Sequence, residues 1–130
     1  MTRTRTAVVS LALALALAAG LGAAPAFAGD AAHGKKLFKK CKVCHTINKG
    51  GKKKIGPNLW DIVGRPAGKA DGFKYSRGMR KAEFTWNDTT LDQWLTKPKK
   101  LVKGTKMSFP GFKKKQDRDD VIAYLKSQSD

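Results

Sequence analysis

The sequence predicts an all-α domain of about a hundred residues that follows an N-terminal export signal. Three segments carry apolar residues at the spacing of an amphipathic helix, and no segment alternates apolar and polar residues as a strand does. The stretches between them are rich in glycine, proline and lysine, and we interpret them as loops. Loops this long in a small domain need something to order them, such as a bound cofactor.

The N-terminal segment has the layout of a secretory signal. Arg3 and Arg5 precede an apolar run over residues 7–22, and small residues at 26–28 offer a cleavage site. We predict that residues 1–28 are a cleaved signal peptide and that residues 29–130 form the mature domain. The alternative for the apolar run is an uncleaved membrane anchor, because its length could serve as a short span.

The chain is strongly basic. Its formal net charge is +17, and removal of Arg3 and Arg5 leaves +15 on the mature part. Such a field predicts acidic partners. Nucleic acid is the usual first candidate for this much charge. An exported protein normally meets none, so we predict no nucleic-acid binding.

Three helices are predicted in the mature part. The first covers residues 30–41, where a leucine, a phenylalanine and a cysteine form a narrow apolar face on a basic helix. The second covers residues 89–98, where Thr89 and Asp92 resemble a capping box and a proline ends the helix. The third covers residues 116–128, with acidic residues early and a lysine late, as the helix dipole favours.

Both cysteines of the chain lie in one C-x-x-C-H motif, formed by Cys41, Cys44 and His45. In an exported protein this motif is the attachment signature of a c-type haem. Two thiols on a short turn can add to the two vinyl groups on one edge of a porphyrin, and the next imidazole can then ligate the iron. The motif therefore predicts one covalent haem.

The motif has three other interpretations. A thioredoxin-like pair needs a βαβ context, whereas the surrounding pattern is helical. A zinc site needs four ligands, and the fourth would be His33, which lies outside any usual spacing and is expected to be a surface residue. A structural disulfide between Cys41 and Cys44 would close a ring too small to constrain much of the chain.

A haem iron also has a sixth coordination position. Met107 lies in a loop bounded by glycines that let the backbone pass close to a ring. Methionine opposite histidine raises the reduction potential and suits electron transfer. The other mature methionine, Met79, is expected to fill the core, as methionine often does.

Many stretches of the mature chain resemble class I cytochromes c, close to the mitochondrial type and its bacterial periplasmic relatives. They include "GDAAHGKKLFKKCKVCHTINKGGKKKIGPNL", "GFKYS", "KGTKMSFPGFKKK" and "DVIAYLK". The resemblance covers nearly all of residues 29–130. It implies the cytochrome c fold, with three main helices plus short helices and long loops wrapped around one covalent haem.

The resemblance also implies roles for individual residues. Met107 matches the distal iron ligand, and Pro57 matches the proline whose carbonyl accepts the proton of the second nitrogen of His45. Gly34 and Phe38 match the face where the first helix crosses the last, near Tyr124. The residues that match hydrogen-bond donors to the haem propionates are Arg65, Tyr75, Trp86 and Thr105.

Two residues depart from the family pattern near the distal ligand. The family often has a tyrosine at the position of Trp94 and an asparagine at the position of Met79. Tryptophan has one donor and no acceptor, and methionine has almost no polarity. The polar network usual at this place must therefore differ, so the sequence does not predict the midpoint potential closely.

Lysine runs on a solvated face are common, but the resemblance assigns a function to some of them. They match the ring of lysines that surrounds the exposed haem edge and steers acidic partners. These lysines are Lys40, Lys54, Lys99, Lys100, Lys106, Lys113 and Lys114.

We therefore predict a soluble, monomeric, mono-haem carrier of one electron in the bacterial periplasm, with no enzymatic activity and no membrane contact except through its partners. The sequence does not identify those partners. A quinol–cytochrome c oxidoreductase, a terminal oxidase, a photosynthetic reaction centre and a periplasmic dehydrogenase would all suit it. A peroxidase-like or gas-binding haem protein and a haem-free C-x-x-C oxidoreductase are the alternative functions.

Overall fold

The structure is a computed structural model that describes residues 29–130, so the predicted signal peptide at residues 1–28 lies outside it. The helices are α1 Ala31–Leu37, continued by a 3₁₀-helix at Phe38–Lys40, then α2 Arg77–Arg80, α3 Asp88–Thr96, α4 Pro98–Leu101 and α5 Lys115–Lys126. Within these residues the only β pairing is one isolated bridge between Pro66 and Thr85. The prediction of an all-α domain is confirmed. No helix in the described range is long and apolar enough to cross a membrane.

The three predicted helices correspond to α1 with its 3₁₀ continuation, α3 and α5. The first was predicted to reach Cys41, but its α-helical part ends at Leu37. The predicted start of α3 is also wrong. Its cap is Asn87, whose side chain accepts from the Thr90 N–H at 2.9 Å, while the Thr90 hydroxyl accepts from the Asn87 N–H at 2.9 Å. The predicted pair of Thr89 and Asp92 is therefore wrong. Pro98 follows α3 as expected and also begins α4, where its missing N–H costs nothing.

Helices α1 and α5 pack against each other at very close range, and this contact joins the two ends of the described chain. The ring of Phe38 lies 5.2 Å from that of Tyr124, centroid to centroid. Phe38 and Val121 are essentially inaccessible to solvent. A methyl group added to Gly34 would lie 1.9 Å from the carbonyl oxygen of Asp120, so only glycine fits at the crossing.

A buried carboxylate reinforces the same crossing. Asp120 is 3% exposed and accepts hydrogen bonds from the Asp30 N–H, His33 Nδ1 and Gln116 Nε2, each at 2.7 Å. Burial by itself raises the pKa of the Asp120 carboxyl, but these hydrogen bonds outweigh it and hold the pKa below its ordinary value. The interpretation of His33 as a plain surface residue missed this contact.

Replacing Asp120 by asparagine is expected to lower the free energy of unfolding at neutral pH by about 2 kcal/mol, because charge-assisted hydrogen bonds are lost in a buried place. A carboxyl whose folded pKa is depressed stabilises the fold above its unfolded pKa of about 3.9, and this contribution is lost as the pH falls below that value. Denaturant unfolding between neutral and acidic pH, followed by far-UV circular dichroism, measures both effects.

Asp119, which precedes Asp120 in the sequence, provides the control for this substitution. Asp119 forms an ion pair with the exposed Lys115 at 2.7 Å. Replacing Asp119 by asparagine should cost no more than about 0.5 kcal/mol, as for other surface pairs one helical turn apart. Equal losses from the two variants, or a difference that persists in acid, would contradict the assigned role of Asp120.

Candidate functional site

The C-x-x-C-H segment folds as a tight turn at the end of the 3₁₀-helix. The Cys44 N–H donates to the Cys41 carbonyl at 3.0 Å, and the His45 N–H donates to the same carbonyl at 2.8 Å. These bonds bring the three functional side chains onto one short turn. Both cysteines are partly exposed, and they form no disulfide with each other.

The Cys41 thiol is not tuned for redox exchange. Burial, together with the neighbouring Cys44 and against the opposing effect of Lys40, raises the pKa of Cys41 to about 11. Disulfide oxidoreductases instead depend on a thiolate with a depressed pKa. The electrostatics therefore do not favour the thioredoxin-like interpretation.

The imidazole of His45 is held in an orientation suited to a metal ligand. Its Nδ1 lies 2.7 Å from the carbonyl oxygen of Pro57, so Nδ1 carries the proton and donates. Burial lowers the pKa of His45, outweighing the opposing bond to Pro57, and the charge of Lys54 lowers it further. The ring is therefore neutral at pH 7, with Nε2 free as a lone-pair donor.

Gly56 makes room for this imidazole. A Cβ atom on Gly56 would lie 2.4 Å from His45 Cε1 and 2.7 Å from Nδ1, closer than real contacts allow. The Gly56 N–H also donates to the Cys44 carbonyl at 2.8 Å, which ties this loop to the motif. No local sequence pattern singles out Gly56, because its role depends on the folded position of His45.

Replacing Gly56 by alanine is expected to displace the His45 ring and lengthen its bond to Pro57. The ligand predicted at His45 should then be weakened, so the haem-loaded variant should lose thermal stability by several degrees, as expected for about 1–3 kcal/mol of overpacking. Optical spectra of the haem and thermal unfolding measure the effect. A variant with the parent's spectrum and melting temperature would contradict this account of Gly56.

The loop that carries Met107 ends near the residues that directly precede the C-x-x-C-H motif. Gly111 has a φ of +98°, and a Cβ there would lie 1.9 Å from the Thr96 carbonyl oxygen, so only glycine lets the chain turn against α3. Phe112 follows and lies below the ammonium group of Lys40, 5.5 Å from Nζ to the ring centroid. Met107 itself is partly buried, and its N–H donates to the Thr105 hydroxyl at 3.3 Å.

Three of the four predicted propionate donors are neighbours in the structure. The Trp86 N–H donates to the Arg65 carbonyl at 3.0 Å. Burial raises the pKa of Tyr75, and the bond from the Ala70 N–H and the nearby charge of Arg65 oppose that rise. The guanidinium of Arg65 donates to the Asn58 carbonyl at 2.9 Å and is half-buried. Thr105 is also buried, but lies in the separate loop of Met107.

These donors have capacity left for an anionic group. Arginine has five N–H donors, and only two of them meet carbonyl oxygens here, at 2.9 and 3.5 Å. The Tyr75 oxygen accepts from the Ala70 N–H at 3.2 Å, so its own proton is free to be donated. A neutral imidazole, two thiols on one turn and a cluster of spare donors together fit a haem with its carboxylates.

Trp94 and Met79, the two residues that depart from the family pattern, both take part in apolar packing. Trp94 stacks edge to face on Trp86, with ring centroids 5.2 Å apart. Met79 lies in α2 and is 6% exposed, which confirms it as a core residue.

The zinc interpretation lacks its fourth ligand, because His33 is engaged by Asp120 and no group of three or more metal-binding side chains occurs among residues 29–130.

Comparison with known proteins identifies the family. The sequence model of the family "Cytochrome c" matches residues 31–129. Cytochrome c of Chlamydomonas reinhardtii is 51% identical over 104 residues, which cover 79% of this chain and 93% of that protein. Cytochrome c2 of Rhodomicrobium vannielii is 46% identical over 101 residues, which cover 78% of this chain and 81% of that protein.

A solved structure agrees with the sequence relatives. Cytochrome cH from Methylobacterium extorquens aligns with a TM-score of 0.72 and 48% identity, and the match covers 76% of this chain and 99% of that one. The predicted fold is therefore confirmed. The chain belongs to the cytochrome c family, as a class I c-type cytochrome, and is a haem-bearing electron carrier.

Proposed function

We propose that the protein carries one electron at a time on a single haem c, bound through Cys41 and Cys44 and ligated by His45 and Met107. The hydrogen bond of 2.7 Å between His45 Nδ1 and the Pro57 carbonyl carries this proposal, because it leaves Nε2 as the free ligating atom. The haem supplies reversible one-electron chemistry when it is bound. The chain fixes the orientation of the His45 imidazole.

The donor cluster supports an anchoring role for four residues. Arg65, Tyr75 and Trp86 lie together, and Thr105 extends from the loop of Met107; we assign all four to the haem carboxylates. Buried carboxylates require hydrogen-bond donors, because an uncompensated buried charge is costly. The protein forms and breaks no substrate bond in this proposal.

Two optical measurements test the assignment. A pyridine haemochrome assay on purified protein should show one covalent haem, and its absence would refute the proposed cofactor. The ferrous protein should bind carbon monoxide poorly, because Met107 occupies the sixth position. Ready binding by the native ferrous protein would instead favour a gas-binding or peroxidase-like function.

We propose export to a bacterial periplasm and removal of residues 1–28. The charged and apolar layout of that segment supports this proposal, and cytochrome c2 proteins of bacteria are among the relatives. The proposed partners are acidic redox proteins: a quinol–cytochrome c oxidoreductase, a terminal oxidase, a reaction centre or a periplasmic dehydrogenase. Their approach would be steered by lysines around the haem edge.

Electron transfer to an acidic partner is expected to slow as salt is added, by tenfold or more between about 0.01 and about 0.1 M ionic strength, because the Debye length falls from about 30 Å to about 10 Å. The seven predicted docking lysines are all exposed, and none of them pairs with a carboxylate within residues 29–130. Stopped-flow kinetics over this range provide the measurement. A rate independent of salt would mean that these lysines do not steer the reaction.

A further inference from the structure

The loop that carries Met107 has few bonds at its centre. It spans residues 102–114, between α4 and α5, and we call it the distal loop. Among the residues that the structure describes, residues 106–110 take part in one hydrogen bond, from the Met107 N–H to the Thr105 hydroxyl at 3.3 Å. The position of Met107 therefore depends on what holds the ends of the loop.

Phe112 anchors the C-terminal end of the distal loop. It is 5% exposed, and its N–H donates to the Leu95 carbonyl of α3 at 2.7 Å. The ring of Phe109 packs edge to face on the ring of Phe112, with centroids 5.1 Å apart. Because Phe109 follows Met107 by only two positions, a shift of Phe112 would be passed to Met107 through packed residues.

The side chain of Arg118, in the first turn of α5, holds this anchor in place. Its Nη1 donates to the Phe112 carbonyl at 3.0 Å and to the Lys113 carbonyl at 3.2 Å. Its Nε donates to the carboxylate of Asp92, in α3, at 2.7 Å. One guanidinium therefore joins α3, α5 and the end of the distal loop, and we call Asp92 and Arg118 the latch.

The latch is partly buried, unlike the ion pair of Lys126 with Asp88, which also joins α5 to α3. The side chains of Arg118 and Asp92 are 11% and 33% exposed. Those of Lys126 and Asp88, which meet at 2.7 Å, are 48% and 65% exposed. Loss of one partner from a partly buried pair leaves the other charge uncompensated and is costly, whereas exposed pairs contribute little. The latch is therefore the stronger of these two connections, and it is the one that reaches the distal loop.

We propose that the latch holds the distal loop closed and thereby limits how readily an external ligand displaces Met107 from the iron. This inference rests on the proposed ligation by Met107. Asp92 and Arg118 are positioning residues, because they act through the backbone of Phe112 and Lys113. Their effect is to keep small molecules off the iron of a carrier that makes and breaks no substrate bond.

Optical titration of the haem-loaded ferric protein with imidazole tests the role of the latch. An imidazole nitrogen replaces the Met107 sulfur on the iron, and no electron moves. If the distal loop must first open, the apparent Kd equals the intrinsic Kd divided by the fraction of protein that is open. Met107→Ala gives the intrinsic Kd, because it has no side chain to displace from the iron, and the parent should bind imidazole more weakly.

Two single variants break the latch in different ways. D92N keeps the shape of Asp92 and removes its charge, whereas R118K keeps the charge and loses the planar fork. Each should lower the apparent Kd of imidazole about tenfold, as expected when a partly buried, charge-assisted hydrogen bond no longer holds the loop closed. K126Q is the matched control, because it breaks the exposed pair between the same two helices, and it should change the Kd by less than about twofold.

A double variant separates this positioning role from a general loss of stability. D92N should have no effect on imidazole binding when Met107 is already replaced by alanine, because nothing remains to be displaced. If D92N tightens binding equally with and without Met107, or if both latch variants bind imidazole as the parent does, the latch is not what holds Met107 in place. A parent that binds imidazole as tightly as Met107→Ala would instead overturn the ligation by Met107 and, with it, the role of the latch.

Discussion

Replacing Met107 by alanine is expected to lower the midpoint potential by more than about 0.1 V, within the span of roughly 0.8 V that axial ligands control. A thioether opposite histidine favours the ferrous state, so its loss favours the ferric state. The iron should also gain an open position and bind carbon monoxide readily when it is reduced. Potentiometric titration and optical spectra with carbon monoxide measure the two effects.

Two leucine variants separate loss of the ligand from loss of packing. Met107→Leu nearly preserves side-chain volume but has no sulfur, so it should show the same lowered potential and open iron. Met79→Leu removes the sulfur of a buried core residue that is not a proposed ligand, so its potential should stay close to the parent's. If Met107→Leu keeps both the parent potential and a closed iron, the assignment of Met107 is wrong.

α3 and α5 could be predicted from sequence because each repeats apolar residues over more than one turn. α2 and α4 have four residues each, and a single turn carries no periodic pattern. The cap of α3 was misassigned because "NDTT" offers several side chains that can cap a helix. Only the folded backbone shows that Asn87 and Thr90 satisfy each other.

The site was predictable to different degrees. Cys41, Cys44 and His45 follow from motif chemistry, because covalent attachment and ligation of a haem need two thiols and an imidazole on one short turn. Pro57 came only from resemblance, since it lies twelve positions after His45 and no local pattern links them. The tight space beside Gly56 depends on tertiary packing.

The contact between His33 and Asp120 shows the same limit. These residues are 87 positions apart and meet only because α1 crosses α5. The sequence places His33 on a basic, solvent-facing stretch, where histidine is usually unremarkable. Long-range pairing decides its role, and a single sequence carries no signal for it.

Replacing Gly34 by alanine is expected to lower the free energy of unfolding by about 3 kcal/mol or more, at the upper end of overpacking costs. The added Cβ would lie 1.9 Å from the Asp120 carbonyl oxygen and 2.9 Å from Tyr124 Cβ. The first of these obstacles is backbone, so no side-chain rotation relieves it and α1 must move away from α5. The higher helix propensity of alanine, worth about 1 kcal/mol, offsets only part of this cost.

Gly50→Ala separates this steric effect from a general cost of losing a glycine. Gly50 has a φ of +69° and no atom within 4 Å of an added Cβ, so alanine there meets only backbone strain, worth about 1–2 kcal/mol. Guanidinium unfolding of the haem-loaded variants, followed by far-UV circular dichroism, compares the two losses. Separation of α1 from α5 would also loosen the Phe38–Tyr124 contact and the bonds to Asp120, so the loss at Gly34 must exceed that at Gly50. Equal losses would mean that the two helices do not meet as closely as the structure describes.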